Sequence, residues 1–170
     1  MKKGLTLALS LFSSLVFADP TVFGMELGKT TENELKSLYS VNHLGVNKYS
    51  HGNMYSVPTS SIKFDDLQEV TTIFDSKNVL IAVLTKFPKS KFDYLNNAIG
   101  GKYALVNKKI PFVGDKSATY RDGDTEISLN APHMGFGMSM NYIRDDLMRA
   151  FNKQNEAEKQ EKTKNESSQL

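Results

Sequence analysis

The chain contains no cysteine. Disulfides, thiolate metal ligands, a thiol nucleophile and a lipid-modified first residue are therefore excluded, and stability has to come from an apolar core. Excess charge of one sign is also missing. There are 21 Lys and Arg against 19 Asp and Glu, and two of the bases, Lys2 and Lys3, stand at the very start of the chain. The remainder is balanced, which gives no general electrostatic pull on nucleic acid or anionic lipid, so neither is expected as a partner. Long apolar runs are lacking as well. The run from Gly4 to Phe17 is interrupted by Ser10, Ser13 and Ser14 and falls short of the roughly 20 residues that span a bilayer.

That short run has a different reading. The lysine pair, the apolar stretch and the sequence Val16-Phe17-Ala18 before Asp19 have the order of a secretory signal peptide. Cleavage after Ala18 is expected to release a soluble protein into the periplasm of a Gram-negative cell, with no membrane insertion after cleavage. The domain organisation that follows is a signal peptide over residues 1–18, one domain over 19–151, and a solvated helix end with a disordered tail over 152–170.

Recognisable catalytic and metal-binding patterns are absent too. His43, His51 and His133 fall in separate loops without ligand spacing. Asp122, Asp124 and Glu126 alternate like part of a calcium loop, but Asp122-Gly123 reads more simply as a hairpin turn. No serine sits in a G-x-S-x-G elbow, and neither Gly100-Gly101 nor Phe112-Val113-Gly114 forms a phosphate-cradling loop. No catalytic residue, metal or cofactor is expected.

What the sequence does contain is a strong hairpin signal from Glu69 to Phe87. Two β-branched and aromatic arms flank the polar break Asp75-Ser76-Lys77-Asn78. The second arm is apolar on both sides, with Val79, Ile81, Val83 and Phe87 on one face and Leu80, Ala82 and Leu84 on the other, which predicts a central strand. Thr31 and Glu34 have capping-box spacing before Leu35, Leu38 and Tyr39, predicting a first helix. Ser90, as N-cap, with Phe92, Leu95, Ile99 and Gly100-Gly101 predicts a second. A weak strand is expected over Asn53–Val57 and a short one at Ile62–Phe64. Four more are expected at Tyr103–Val106, Ala118–Tyr120, Glu126–Leu129 and Met134–Tyr142. Leu147, Met148 and Phe151 give a C-terminal helix an apolar start, and the strongly polar end beyond is expected to fray.

Helix, strands, helix, strands in this order implies an α+β fold: an antiparallel sheet with two helices on one face, a tandem helix-plus-four-strand duplication and a C-terminal helix. The entry Phe23-Gly24-Met25-Glu26-Leu27-Gly28 running into the capped segment Lys29 to Leu35, together with this element order, resembles the β-lactamase-inhibitor-protein-like folds. That resemblance implies a protein that binds other proteins and has no catalytic residues.

The functional expectation is a non-catalytic periplasmic protein that binds another protein, as an inhibitor, an immunity-type protein or an envelope assembly factor. The alternative is a small-ligand carrier with a cavity between sheet and helices, and a small metal-free hydrolase comes third. Two stretches are candidate binding sites. The polar segment Asn47–Ser61 carries Tyr49, His51 and Tyr55, a composition suited to adaptable recognition. In the second stretch Met134, Phe136 and Met138, followed by Met140 and Tyr142, alternate with small residues. They are expected to share one strand face, either packed under the helices or free to meet a partner.

Overall fold

The computed structural model describes residues 19–169; the signal peptide expected over 1–18 lies outside them. A two-residue-strand hairpin, β1 (Thr21–Val22) and β2 (Met25–Glu26), opens the described chain and was not anticipated. Its turn places Phe23 and Gly24 both at positive φ, 51° and 75°, the backbone of a tight reversed turn. Helix α1 (Glu32–Leu38) follows with the expected capping box, in which the Thr31 hydroxyl accepts from the Glu34 amide while the Glu34 carboxylate accepts from the Thr31 amide.

Strands β3 (Asn42–Val46), β4 (His51–Ser56), β5 (Glu69–Asp75) and β6 (Leu80–Pro88) complete a first unit. Helix α2 (Phe92–Gly100) and strands β7 (Ala104–Lys109), β8 (Lys116–Asp122), β9 (Thr125–Ala131) and β10 (Gly137–Arg144) repeat the order, and α3 (Asp145–Ser167) closes the chain. All eight long strands form one antiparallel sheet ordered β3-β4-β5-β6-β10-β9-β8-β7. The fourth strands of the two units pair at the centre, Met138 opposite Phe87 and Tyr142 opposite Val83. The fold is α+β with the duplicated plan that the element order suggested.

The hairpin expected at the centre is β5 and β6. Its turn is held by the Asp75 carboxylate, which accepts from the amides of Lys77 at 2.8 Å and Val79 at 2.9 Å. Strict alternation along β6 is broken, however. Ile73 pairs with Ala82 and Phe74 with Leu80, so Ile81 is an extra, bulged residue. Leu80, Val83 and Phe87 join the core under α1 and α2, whereas Ile81 turns with Ala82 to the opposite face and meets Leu147 of α3. The larger core gathers Leu35 from α1, Phe92, Leu95 and Ile99 from α2, and Met25 and Leu27 from the opening segment.

Other expectations are corrected. Ser90 does not cap α2, which is entered through a 3-10 turn at Lys89–Lys91 with no side-chain cap. Ile62–Phe64 is not a strand; Ile62 is buried in an irregular connection between β4 and β5. The solvated helix end expected beyond 151 belongs to α3, which runs to Ser167 with every described residue from Asn155 on exposed. Spaced side-chain pairs along it, Gln154 to Glu158 at 2.9 Å and Lys162 to Glu166 at 3.8 Å, give the local support that its composition otherwise lacks.

Candidate functional site

The residues singled out from the sequence fall in two separate places, the β3–β4 turn and β4 near one edge of the sheet, and β10 with its preceding loop at the centre. Tyr49 lies in the β3–β4 turn, where it is half-buried edge-on against Phe151 of α3, ring centroids 5.0 Å apart. His51 is exposed at the start of β4 with φ of 57°. The segment Asn47–Ser61 is not one loop: strand β4 runs through it from His51 to Ser56, and the Asn47 side chain folds the preceding turn by accepting from the amides of Tyr49 and Ser50.

Tyr55 is only 5% exposed, a core residue rather than a contact residue. Its hydroxyl donates to Glu32 Oε2 at 2.6 Å, and Asn53 Nδ2 donates to Glu32 Oε1 at 2.9 Å. Burial alone would raise the Glu32 carboxyl; the bonds from Tyr55 and Asn53 and the nearby Lys36 ammonium outweigh it and hold the group below its ordinary value. A carboxylate so satisfied is a strut between α1 and β4, poorly suited to abstracting a proton. The matching residue of the second unit does the same job: Tyr120 on β8 donates to Asn96 of α2, to Oδ1 at 2.7 Å.

Met138 is 3% exposed and packs in the core with Met140 and Tyr142, as the buried alternative for that face required. Met134 and Phe136 do not share its strand. They precede it in the β9–β10 loop and are 91% and 98% exposed. The reason is the fate of the loop backbone. Lys89 Nζ donates to the carbonyls of Pro132 and His133 at 2.6 and 3.0 Å, and the His133 amide donates to Asp115 Oδ1 at 2.6 Å. Side chains satisfy these groups, so no strand partner is needed.

Asp115 belongs to the β7–β8 loop, and its bond to His133 ties the two loops together. The β7–β8 loop also carries two exposed apolar residues outside the candidate binding stretches: Phe112 is 105% exposed and Val113 66%. The signal that could have found them is a pair of large apolar side chains between Pro111 and Gly114, in a stretch otherwise made of turn formers. Four large apolar tips therefore stand at one end of the second unit, on loops fixed to each other.

Beside them lies an uncovered polar face of the sheet. On β8, β9 and β10 the residues alternating with the core, Ser117, Thr119, Ser128, Asn130, Ser139 and Asn141, face away from α2 and are all partly or fully accessible. In the first unit the equivalent face is covered by α3 through Leu147 against Ile73, Ile81 and Ala82.

Among the described residues no three His, Asp or Glu side chains gather to hold a metal, and no helix is long and apolar enough to cross a membrane. Comparison with family models, curated proteins and solved structures finds no match to the chain.

Proposed function

We propose that this is a non-catalytic protein that binds another protein, through the linked β7–β8 and β9–β10 loops and the open polar face of the second unit. The observation that carries the reading is the exposure of Phe112, Val113, Met134 and Phe136 on two loops joined by the Asp115–His133 bond. Apolar groups left in water by a folded, internally braced loop are poised for burial by something else, and bracing lowers the ordering cost of binding. The adjoining Ser, Thr and Asn surface favours a protein over a lipid surface as the occupant. Protein interfaces combine apolar anchors with a polar surround that takes hydrogen bonds, whereas a bilayer would engage the tips alone.

The tandem helix-plus-four-strand plan supports the resemblance to β-lactamase-inhibitor-protein-like folds, and with it the reading as an inhibitor, an immunity-type protein or an envelope assembly factor. Export to the periplasm belongs to the same reading and is supported by the sequence of residues 1–18. A photo-crosslinking residue at Phe112 or Phe136, expressed in the native cell, is expected to give one discrete protein adduct, and the same residue at Tyr49 none. Lipid adducts alone at the tips, or identical products from all three positions, would defeat the proposal.

A further inference from the structure

A cleft of about 290 Å³ lies on the other face of the molecule, between α2 and the β1–β2 hairpin. Its walls are aromatic. Phe23 and Phe64 meet edge to face at 5.8 Å, Tyr103 and Tyr142 at 6.4 Å, and Tyr94 stands at the mouth, 59% exposed. The cleft's only charged lining residue, Lys102, is exposed and has no ion-pair partner among the described residues.

Three other tyrosine hydroxyls against the larger core are partnered. Tyr39 donates to the Phe23 carbonyl at 2.7 Å, Tyr55 to Glu32 and Tyr120 to Asn96. Tyr142 is 3% exposed, yet its hydroxyl has no hydrogen-bond partner among the described residues, and neither has that of Tyr103 beside it. Neither hydroxyl is sealed from solvent, since among the described residues the one buried side-chain nitrogen or oxygen without a partner is Arg144 Nε; both therefore open onto the cleft as donors not used within the protein. Burial pushes the Tyr142 hydroxyl far above its ordinary value, which keeps it a neutral donor. Phe23, meanwhile, holds its ring at the cleft from a positive φ of 51°, a conformation that a residue with a side chain seldom adopts.

We infer that this cleft is a binding site for a small aromatic carboxylate, its ring held among Phe23, Phe64 and Tyr94 and its acidic group drawn by Lys102 and the hydroxyls of Tyr103 and Tyr142. The volume admits a ligand of one or two fused rings. Binding here is independent of the loop surface, which lies at a different part of the molecule.

The test is titration of the full chain with 2-naphthoate, following the tyrosine ring signals by NMR. One saturable site that moves Tyr103 and Tyr142 is expected. Tyr142→Phe, which keeps the ring, should weaken binding about tenfold. Ala98→Trp, at an exposed position of the cleft wall, should abolish it without loss of fold by circular dichroism. Lys102→Gln should weaken naphthoate but leave the uncharged 2-acetylnaphthalene unchanged. Absence of saturable shifts at millimolar ligand, or unchanged affinity in Ala98→Trp or in Tyr142→Phe, would overturn the inference.

Discussion

Tyr55 and Tyr120 occupy the second strand of each unit, and each donates its hydroxyl to the helix of its own unit, one to a buried carboxylate and the other to a neutral amide. The loops repeat this pattern of common plan and different finish. In the first unit the β3–β4 and β5–β6 turns are short and polar, and Tyr49 is docked under α3. In the second unit the corresponding loops carry Phe112, Val113, Met134 and Phe136 into solvent and are tied only to each other and to Lys89. The same scaffold is thus closed on one side by its own C-terminal helix and left open on the other. Specialisation of a duplicated fold resides in what covers the sheet and in the loops at its ends.

The comparison breaks most severely at the seam the two units share. Val83 is fully buried on β6 opposite Tyr142 of β10, and Val83→Asp is expected to remove cooperative melting of both units together. An unpaired buried charge is unfavourable by several kcal/mol against a total stability of about 5–15 kcal/mol. Retention of one melting unit would show that the halves fold separately.

The two tyrosine struts should differ in weight. Tyr55→Phe leaves Glu32, itself 7% exposed, short of its closest partner and is expected to destabilise by about 2–3 kcal/mol, as for a bond to a charged group. Tyr120→Phe removes a neutral bond and should lose about 1 kcal/mol. Urea unfolding of the two variants orders them, and equal losses would show that the Glu32 charge adds nothing.

The struts should also differ with pH. The Glu32 carboxyl is held below its ordinary value of 4.5, so near that pH the unfolded chain binds more protons than the folded one. Its contribution is complete above about pH 4.5 and fades as pH falls through the lower folded-state value. The stability gap between the wild type and Glu32→Gln is therefore expected to shrink on acidification below 4.5. The gap for Tyr120→Phe should not change there, since Asn96 does not titrate.

The smallest expected change in stability is at the loop tips. Phe112→Ser with Phe136→Ser removes side chains that touch little, and the melt should move by no more than about 0.5 kcal/mol. Affinity for the crosslinked partner should fall by about 2 kcal/mol or more, as for hot-spot aromatics. A large loss of stability with unchanged affinity would make the tips structural after all.

Much of this fold was legible from local signals. The capping box at Thr31 and Glu34, the Asp75–Asn78 turn and the doubly apolar run from Leu80 to Leu84 each act over a few residues, so α1, the central hairpin and the α+β order follow from local composition alone. Tertiary structure decided which side chains were free. Tyr55 has the composition of a contact residue, and only the approach of Glu32, 23 positions away in sequence, makes it a buried strut. Ile81 follows a regular alternation until a bulge, set by pairing with β5, turns it toward α3. Met134 and Met138 look alike in sequence; the bonds from Lys89 and to Asp115 hold the first in a loop in water, while pairing with Phe87 draws the second into the core. Exposure depends on long-range partners, and residues distant in sequence supply them only once the sheet has closed.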